Sequence, residues 1–289
     1  MPELPEVETV RRGLAPVMEG ARIDAVYLAR PDLRFPFPHR FAKRLTGRRM
    51  DRLQRRAKYL IGVMDDGTAL IMHLGMSGAF RINDGGNLGL YAHPNGKLAA
   101  HDHVRFSIGP RTVIYNDPRR FGFMTLCPAA ELDTHPHFKG MGTEPLRGAL
   151  TAQVLARAFA GKTAPLKAAL LDQKVIAGLG NIYVCEALWR AGLSPRRLAG
   201  SLVKRNGLPT ARLTRLVDAI ISVIEEAIEA GGSSLRDYVA ADGSMGRFQH
   251  AFAVYGREGD PCPSRTCNGA IKRIVQSNRS TFFCPACQK

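Results

Sequence analysis

Four of the six cysteines fall in the last 28 residues, as Cys262, Cys267, Cys284 and Cys287, and they restrict what this end of the chain can become. A segment that short cannot bury enough apolar surface to hold itself together, so it needs a crosslink. The opening of the chain is acidic and lacks the basic and apolar regions of a signal peptide. The expected setting is therefore the reducing cytoplasm, where clustered thiolates read first as a metal site. The pairs have four and two intervening residues, with sixteen between them, which suits tetrahedral zinc. A closed shell of four sulfurs leaves no position for an activated water, so the metal is expected to be structural. Ile271, Ile274 and Val275, then Thr281, Phe282 and Phe283, give the pattern of a β-hairpin between the pairs. Arg279, with Lys272 and Arg273 nearby, makes that hairpin a candidate DNA-contacting finger.

The rest of the chain changes period twice. Leu4, Val7, Val10, Leu14 and Val17 predict an amphipathic helix over residues 2–20, with Gly13 a mild interruption. From Arg22 to Leu126 short apolar or alternating segments are separated by turns, which predicts antiparallel sheets packed as a sandwich. Residues 83–96 read as a long loop and residues 129–149 as a boundary punctuated by Pro and Gly. Helical patterns follow at 151–160, 164–172, 182–191 and 210–230, and residues 233–250 read as a mobile loop. The domains expected are 1–130, a linker 131–149, 150–250 and 251–289. The class is α+β and multidomain.

Charge points to the partner. Forty-one Lys and Arg against 25 Asp and Glu give +16, which favours a polyanion, and no apolar run reaches the length of a membrane span. Between Arg34 and Lys58 eight further cations stand against one acid, Asp51, a run expected to line a phosphate track or a solvated face. Nucleic acid is the better partner, with no membrane.

Removal of Met1 would leave Pro2 with a secondary amine at the N-terminus. An α-amino group titrates near about 8 against about 10.4 for lysine, so far more of it is nucleophilic at neutral pH. Attack on a sugar C1′ would give a cationic iminium directly, with Glu3 placed to move protons. The bland alternative is a chain start followed by acids that favour a helix N-terminus. Residues 172–183 place Gly178 and Gly180 at a helix–helix turn where backbone amides and Asn181 can take a phosphate; otherwise Asn181 simply caps a helix. Met76, Arg119 and Phe121, in segments 73–78 and 117–122, suit wedges into a base stack. The alternative places Met76 and Phe121 in the core and Arg119 in a salt bridge.

Together these segments resemble the formamidopyrimidine-DNA glycosylase family of bacterial repair enzymes. PELPEVETVRRGL, RRAKYL, HLGMSG, HDHVRF, NDPRRFG, GLGNIYVCEALW, VYGREG and the terminal cysteines occur in the family's order across nearly the whole chain. The resemblance implies an N-terminal β-sandwich with its opening helix, a helix-two-turn-helix domain and a C-terminal zinc finger. It implies base excision repair of double-stranded DNA carrying 8-oxoguanine or formamidopyrimidines, by a monomer in the bacterial cytoplasm. Pro2 would be the Schiff-base nucleophile, Glu3 the acid/base, Lys58 the proton donor of β-elimination and Arg279 the support for δ-elimination. His73, His101, Lys162 and Asn181 would contact DNA. Met76, Arg119 and Phe121 would fill the gap left by the flipped nucleotide, and the loop at 233–249 would close over the base. Leu4, Arg119 and Phe121 favour this group over the endonuclease VIII-like sister group, which prefers oxidised pyrimidines. A non-catalytic lesion binder is the rival of another class, and Pro2, Glu3 and Lys58 argue against it. The first cysteine pair departs from the family, with four residues between its members where two are usual.

Overall fold

The apolar positions three and four apart become the buried stripe of α1 (Leu4–Met18), where Leu4, Val10 and Leu14 are wholly shielded from solvent. The computed structural model describes residues 2–83, 99–233 and 246–289. It divides into two units, Met1–Lys139 with Ala230–Gln249, and Gly140–Glu229 with His250–Lys289.

After α1, the first unit continues through β1 (Ala25–Leu28), α2 (Phe41–Leu45), β2 (Met50–Arg56), β3 (Tyr59–Met64) and β4 (Thr68–His73). It then adds β5 (Ala79–Asn83), β6 (Asp102–Ile108), β7 (Arg111–Asn116) and β8 (Phe123–Pro128). These strands form two four-stranded antiparallel sheets, β1-β6-β7-β5 and β2-β3-β4-β8. Val104, Phe106 and Phe80 of one sheet and Leu53, Leu60 and Met72 of the other share one core with α1. Truncating a residue such as Leu14 to alanine is expected to cost about 2–5 kcal/mol. The glycine- and asparagine-rich stretch expected as a loop begins at Asn83, the last residue of β5; its remainder lies outside the described residues.

Chain order fixes where the loops meet. β4 pairs with β8, and β5 pairs with β7. The connections β4 to β5 and β7 to β8 therefore both cross from one sheet to the other at the same edge of the sandwich.

The second unit holds α3 (Ala152–Phe159), α4 (Leu166–Leu171), α5 (Asn181–Arg190) and α6 (Ala211–Glu229), then the hairpin β9 (Lys272–Gln276) and β10 (Arg279–Phe283). Thr151 caps α3 by accepting from the Val154 amide at 3.2 Å. The α4–α5 turn is folded around Gln173, whose side chain donates to the Leu171 and Leu179 carbonyls and accepts from the Gly178 amide. Gly178 has φ +89°, a conformation that side chains resist. No helix among the described residues is long and apolar enough to cross a membrane.

Candidate active site and metal centre

The expected site residues fall into two groups, one in each unit. In the first, Pro2 is buried and Glu3 is the N-cap of α1, with only 4% of its surface exposed. The Glu3 amide donates to Glu6 Oε2 at 2.8 Å. Glu6 Oε1 accepts from both the amide and the hydroxyl of Ser233, at 2.8 and 2.9 Å. One buried carboxylate thus holds the helix start and the beginning of the segment expected to close over the base. Residues 234–245 of that segment lie outside the described residues.

Lys58 lies in the two-residue turn joining β2 to β3, where Arg56 faces Tyr59, and is buried. α1 runs antiparallel to β2: Glu8 pairs with Arg55 at 3.1 Å, while Gly20 donates to the Met50 carbonyl at 2.7 Å. The start of α1 and the turn bearing Lys58 therefore share one end of the unit. Burial opposes ionisation of Glu8, but Arg11, Arg55 and Arg12 outweigh it and hold the carboxyl below its usual range.

His73 ends β4. Its Nδ1 accepts the Gly75 amide at 3.0 Å, which leaves the ring proton on Nε2. Burial, then the charge of Lys58, lowers its pKa to about 4, so the ring is a neutral donor at neutral pH. Phe123 stacks on it with centroids 5.4 Å apart.

The wedge candidates stand on the two sheet-crossing loops. Asp117, fully buried, ties the loops together, accepting from Ser77 Oγ of the other loop at 2.6 Å and from the Gly122 amide at 2.8 Å. A Cβ at Gly75 (φ +62°) would lie 2.3 Å from the Gly122 nitrogen, so the loops touch where only glycine fits. Met76 and Phe121 are 37% and 42% exposed, which overturns their assignment to the core. Arg119 makes no salt bridge among the described residues; its guanidinium lies 4.7 Å from the Phe121 ring centroid. His101 is half-buried, at the end of the short turn just before β6.

In the second unit Asn181 is the first residue of α5 and Gly180 its N-cap, so Asn181 does not cap the helix. Its Nδ2 instead donates to the Ser280 carbonyl at 2.9 Å and approaches the Tyr255 hydroxyl at 3.4 Å. Lys167 of α4, only 1% exposed, donates to the same Ser280 carbonyl at 3.1 Å and to Thr281 Oγ1 at 2.6 Å. Arg279, immediately before these anchored residues, is exposed and follows the turn Ser277-Asn278, both left-handed at φ 49° and 58°. Glu186, fully buried on α5, accepts the consecutive amides of Ala253, Val254 and Tyr255 at 2.8–3.0 Å. Lys162 is half-buried beyond α3.

The four terminal cysteines converge, every sulfur within 4.8 Å of the others. Cys262 and Cys287 sulfurs are 3.8 Å apart and those of Cys267 and Cys284 3.6 Å. A tetrahedron of Zn–S bonds near 2.3 Å requires S···S separations of about 3.8 Å, so the residues fit zinc, and the longer first knuckle does not prevent it.

Glu6, Asp117, Lys167, Glu186 and Tyr255 escape a sequence reading of the site. Lone acids and lysines carry no spacing signal, and only burial reveals what they hold.

Family models agree with this architecture segment by segment. The formamidopyrimidine-DNA glycosylase N-terminal domain matches residues 1–124, its H2TH domain 141–239, and the zinc finger found in FPG and IleRS 259–289. The chain belongs to the formamidopyrimidine-DNA glycosylase family. It is 63% identical over the full length of both chains to the formamidopyrimidine-DNA glycosylase of Beijerinckia indica, and 59% identical, again over full lengths, to that of Chelativorans. Among solved structures it is similar to a mutant of Lactococcus lactis Fpg bound to Fapy-dG-containing DNA, with TM-score 0.86, 35% identity and full coverage of both chains. The complex of the same organism's Fpg with DNA containing an abasic site gives 0.85 and 34%, again over full lengths.

Proposed function

We propose that this protein is a bifunctional DNA glycosylase and abasic-site lyase of base excision repair that removes oxidised purines from duplex DNA. The observation that carries the reading is the shared end of the first unit, where the α1 start with Pro2 and Glu3, the β2–β3 turn with Lys58, and His73 opposite Tyr59 meet the edge from which two loops expose Met76, Arg119 and Phe121. The unprotonated Pro2 nitrogen attacks C1′; the C1′–N bond to the base breaks and its electron pair leaves with the base, which takes up a proton. Pro2 gives up its amine proton, and Glu3 delivers a proton to O4′ as the C1′–O4′ bond breaks, which leaves an iminium between the Pro2 nitrogen and C1′. The iminium acidifies the C2′ hydrogen, whose removal expels the 3′ phosphate by cleavage of C3′–O, and a second elimination breaks C5′–O. Lys58 serves the first elimination and Arg279 the second. His73, His101, Lys162 and Asn181 hold phosphates, while Met76, Arg119 and Phe121 fill the space the extruded nucleotide vacates. Cys262, Cys267, Cys284 and Cys287 hold one zinc, which supplies no chemistry to the reaction and ties the finger together.

Borohydride trapping on an 8-oxoguanine duplex tests this, using protein whose first residue is shown by mass spectrometry to be Pro2. A covalent adduct is expected, and Pro2→Gly is expected to lose it. An adduct formed only with an oxidised pyrimidine would move the protein to the sister activity, and none at all would leave a lesion binder.

A further inference from the structure

The wedge edge has a third component on a loop that no motif marks. Residues 29–40 follow β1 and turn back on themselves, with the Leu33 amide donating to the Phe35 carbonyl at 3.0 Å and Phe37 to Pro31 at 3.1 Å. This loop docks on the second wedge loop, because the Arg34 amide donates to the Gly122 carbonyl at 3.1 Å. The Phe35 ring meets Phe123, the residue after Gly122, edge-on at 5.5 Å, yet 49% of Phe35 remains exposed. That exposure exceeds those of Met76 and Phe121 on the adjoining loops, at 37% and 42%.

The charge pattern repeats as well. Arg34 lies 5.4 Å from the Phe35 ring centroid, as Arg119 lies 4.7 Å from that of Phe121. Arg34 is exposed and joins no ion pair among the described residues, whereas its neighbour Arg30 is bound to Asp32 at 2.7 Å. The field of Arg34 is felt at His73, Tyr59 and His137, so the guanidinium belongs to the same cationic neighbourhood as Lys58. An exposed aromatic ring costs free energy in water and an unpaired guanidinium seeks an anion, and DNA offers both partners within one nucleotide.

We infer that Arg34 and Phe35 form a third DNA-gripping element of this edge, Arg34 taking a backbone phosphate and Phe35 packing on the adjoining sugar and base. The inference rests on the DNA-repair reading of the same edge and adds residues to it.

The test uses the full-length zinc-loaded protein and a duplex carrying a tetrahydrofuran abasic analogue beside 2-aminopurine. Arg34→Gln is expected to weaken binding about tenfold at moderate salt and to lower the slope of log K against log salt by about 0.9, the signature of one lost phosphate contact. Phe35→Ala is expected to weaken binding about 5- to 30-fold with an unchanged salt slope and a smaller 2-aminopurine response, while Phe35→Tyr restores most of both. A purely structural role would lower the melting temperature and leave the salt slope alone. Variants that bind with wild-type affinity, slope and fluorescence overturn the inference. Failure of the parent reading shows separately, as absence of borohydride trapping in the unsubstituted protein.

Discussion

The loop edge of the first unit, the proposed wedge, and the zinc finger of the second both present cations from short turns, Arg119 in one and Arg279 in the other. They hold those turns in different ways. The wedge loops grow from strands rooted in a core that takes in α1 and both sheets, and Asp117 adds local hydrogen bonds to a base that is already rigid. The finger has a satellite cluster of few apolar residues, among them Ile271 and Val254, with its cysteines inside that cluster. Its order depends on the metal and on buried polar side chains, Lys167 and Asn181, that reach its second strand. A large core keeps its region folded when one polar tie is lost, whereas the small cluster relies on its metal.

That contrast breaks most sharply at the metal. Cys284→Ser, or removal of zinc by a chelator, is expected to unfold the finger, since structural zinc supplies on the order of 10 kcal/mol to such modules. Trp189, the chain's one tryptophan, packs against the cysteine cluster, so its fluorescence reports the loss while circular dichroism of the sandwich persists. Loss of fluorescence change on chelation would contradict the metal-dependent side of the comparison.

On the other side, Asp117→Ala leaves Ser77, Tyr115 and the Gly122 amide without their acceptor. The expected cost is about 3–5 kcal/mol in urea unfolding, with the protein still folded in buffer. A drop below about 1 kcal/mol would show that the core alone fixes the loops.

The pH dependence of stability sharpens the same point. Burial holds His73 at about 4, below the roughly 6.5 of an unfolded histidine, so the unfolded chain takes up its proton first as pH falls. Stability from this residue is complete above pH 6.5 and declines to about pH 4, by about 3 kcal/mol, and His73→Phe is expected to flatten that part of the profile.

The smallest effect is expected at Lys167→Met, about 1–3 kcal/mol, from loss of its bonds to Ser280 and Thr281. The β,δ-elimination product is expected to fall relative to the β product, as Arg279 loses its fixed position. An unchanged ratio would mean that Asn181 and the zinc suffice to hold the hairpin.

Much of this organisation is legible in the residues. The three- and four-residue spacing from Leu4 to Val17 marks α1, and the alternations flanking Ser277-Asn278 mark the finger hairpin, because both patterns record which face is buried. The cysteines announce a metal because few other uses explain four thiols in 28 residues. Glu186 and Lys167 are silent for the opposite reason. A single charged residue on a helix looks solvent-facing until folding brings three amides to one and a carbonyl to the other. Arg34 opens the cationic run, but its pairing with Phe35 at this edge is silent because the partner that orients it, the Gly122 carbonyl, lies far along the chain.

Glu6 carries a consequence of its own. One of its oxygens receives the Glu3 amide and the other receives Ser233, so two distant stretches of chain answer to a single anion. Any rearrangement that pulls Ser233 away perturbs the carboxylate that orients the first turn of α1. Under the proposed function, displacement of Ser233 would reach the first turn of α1, and Pro2 before it, through that one carboxylate, a tie-rod between two distant stretches of chain.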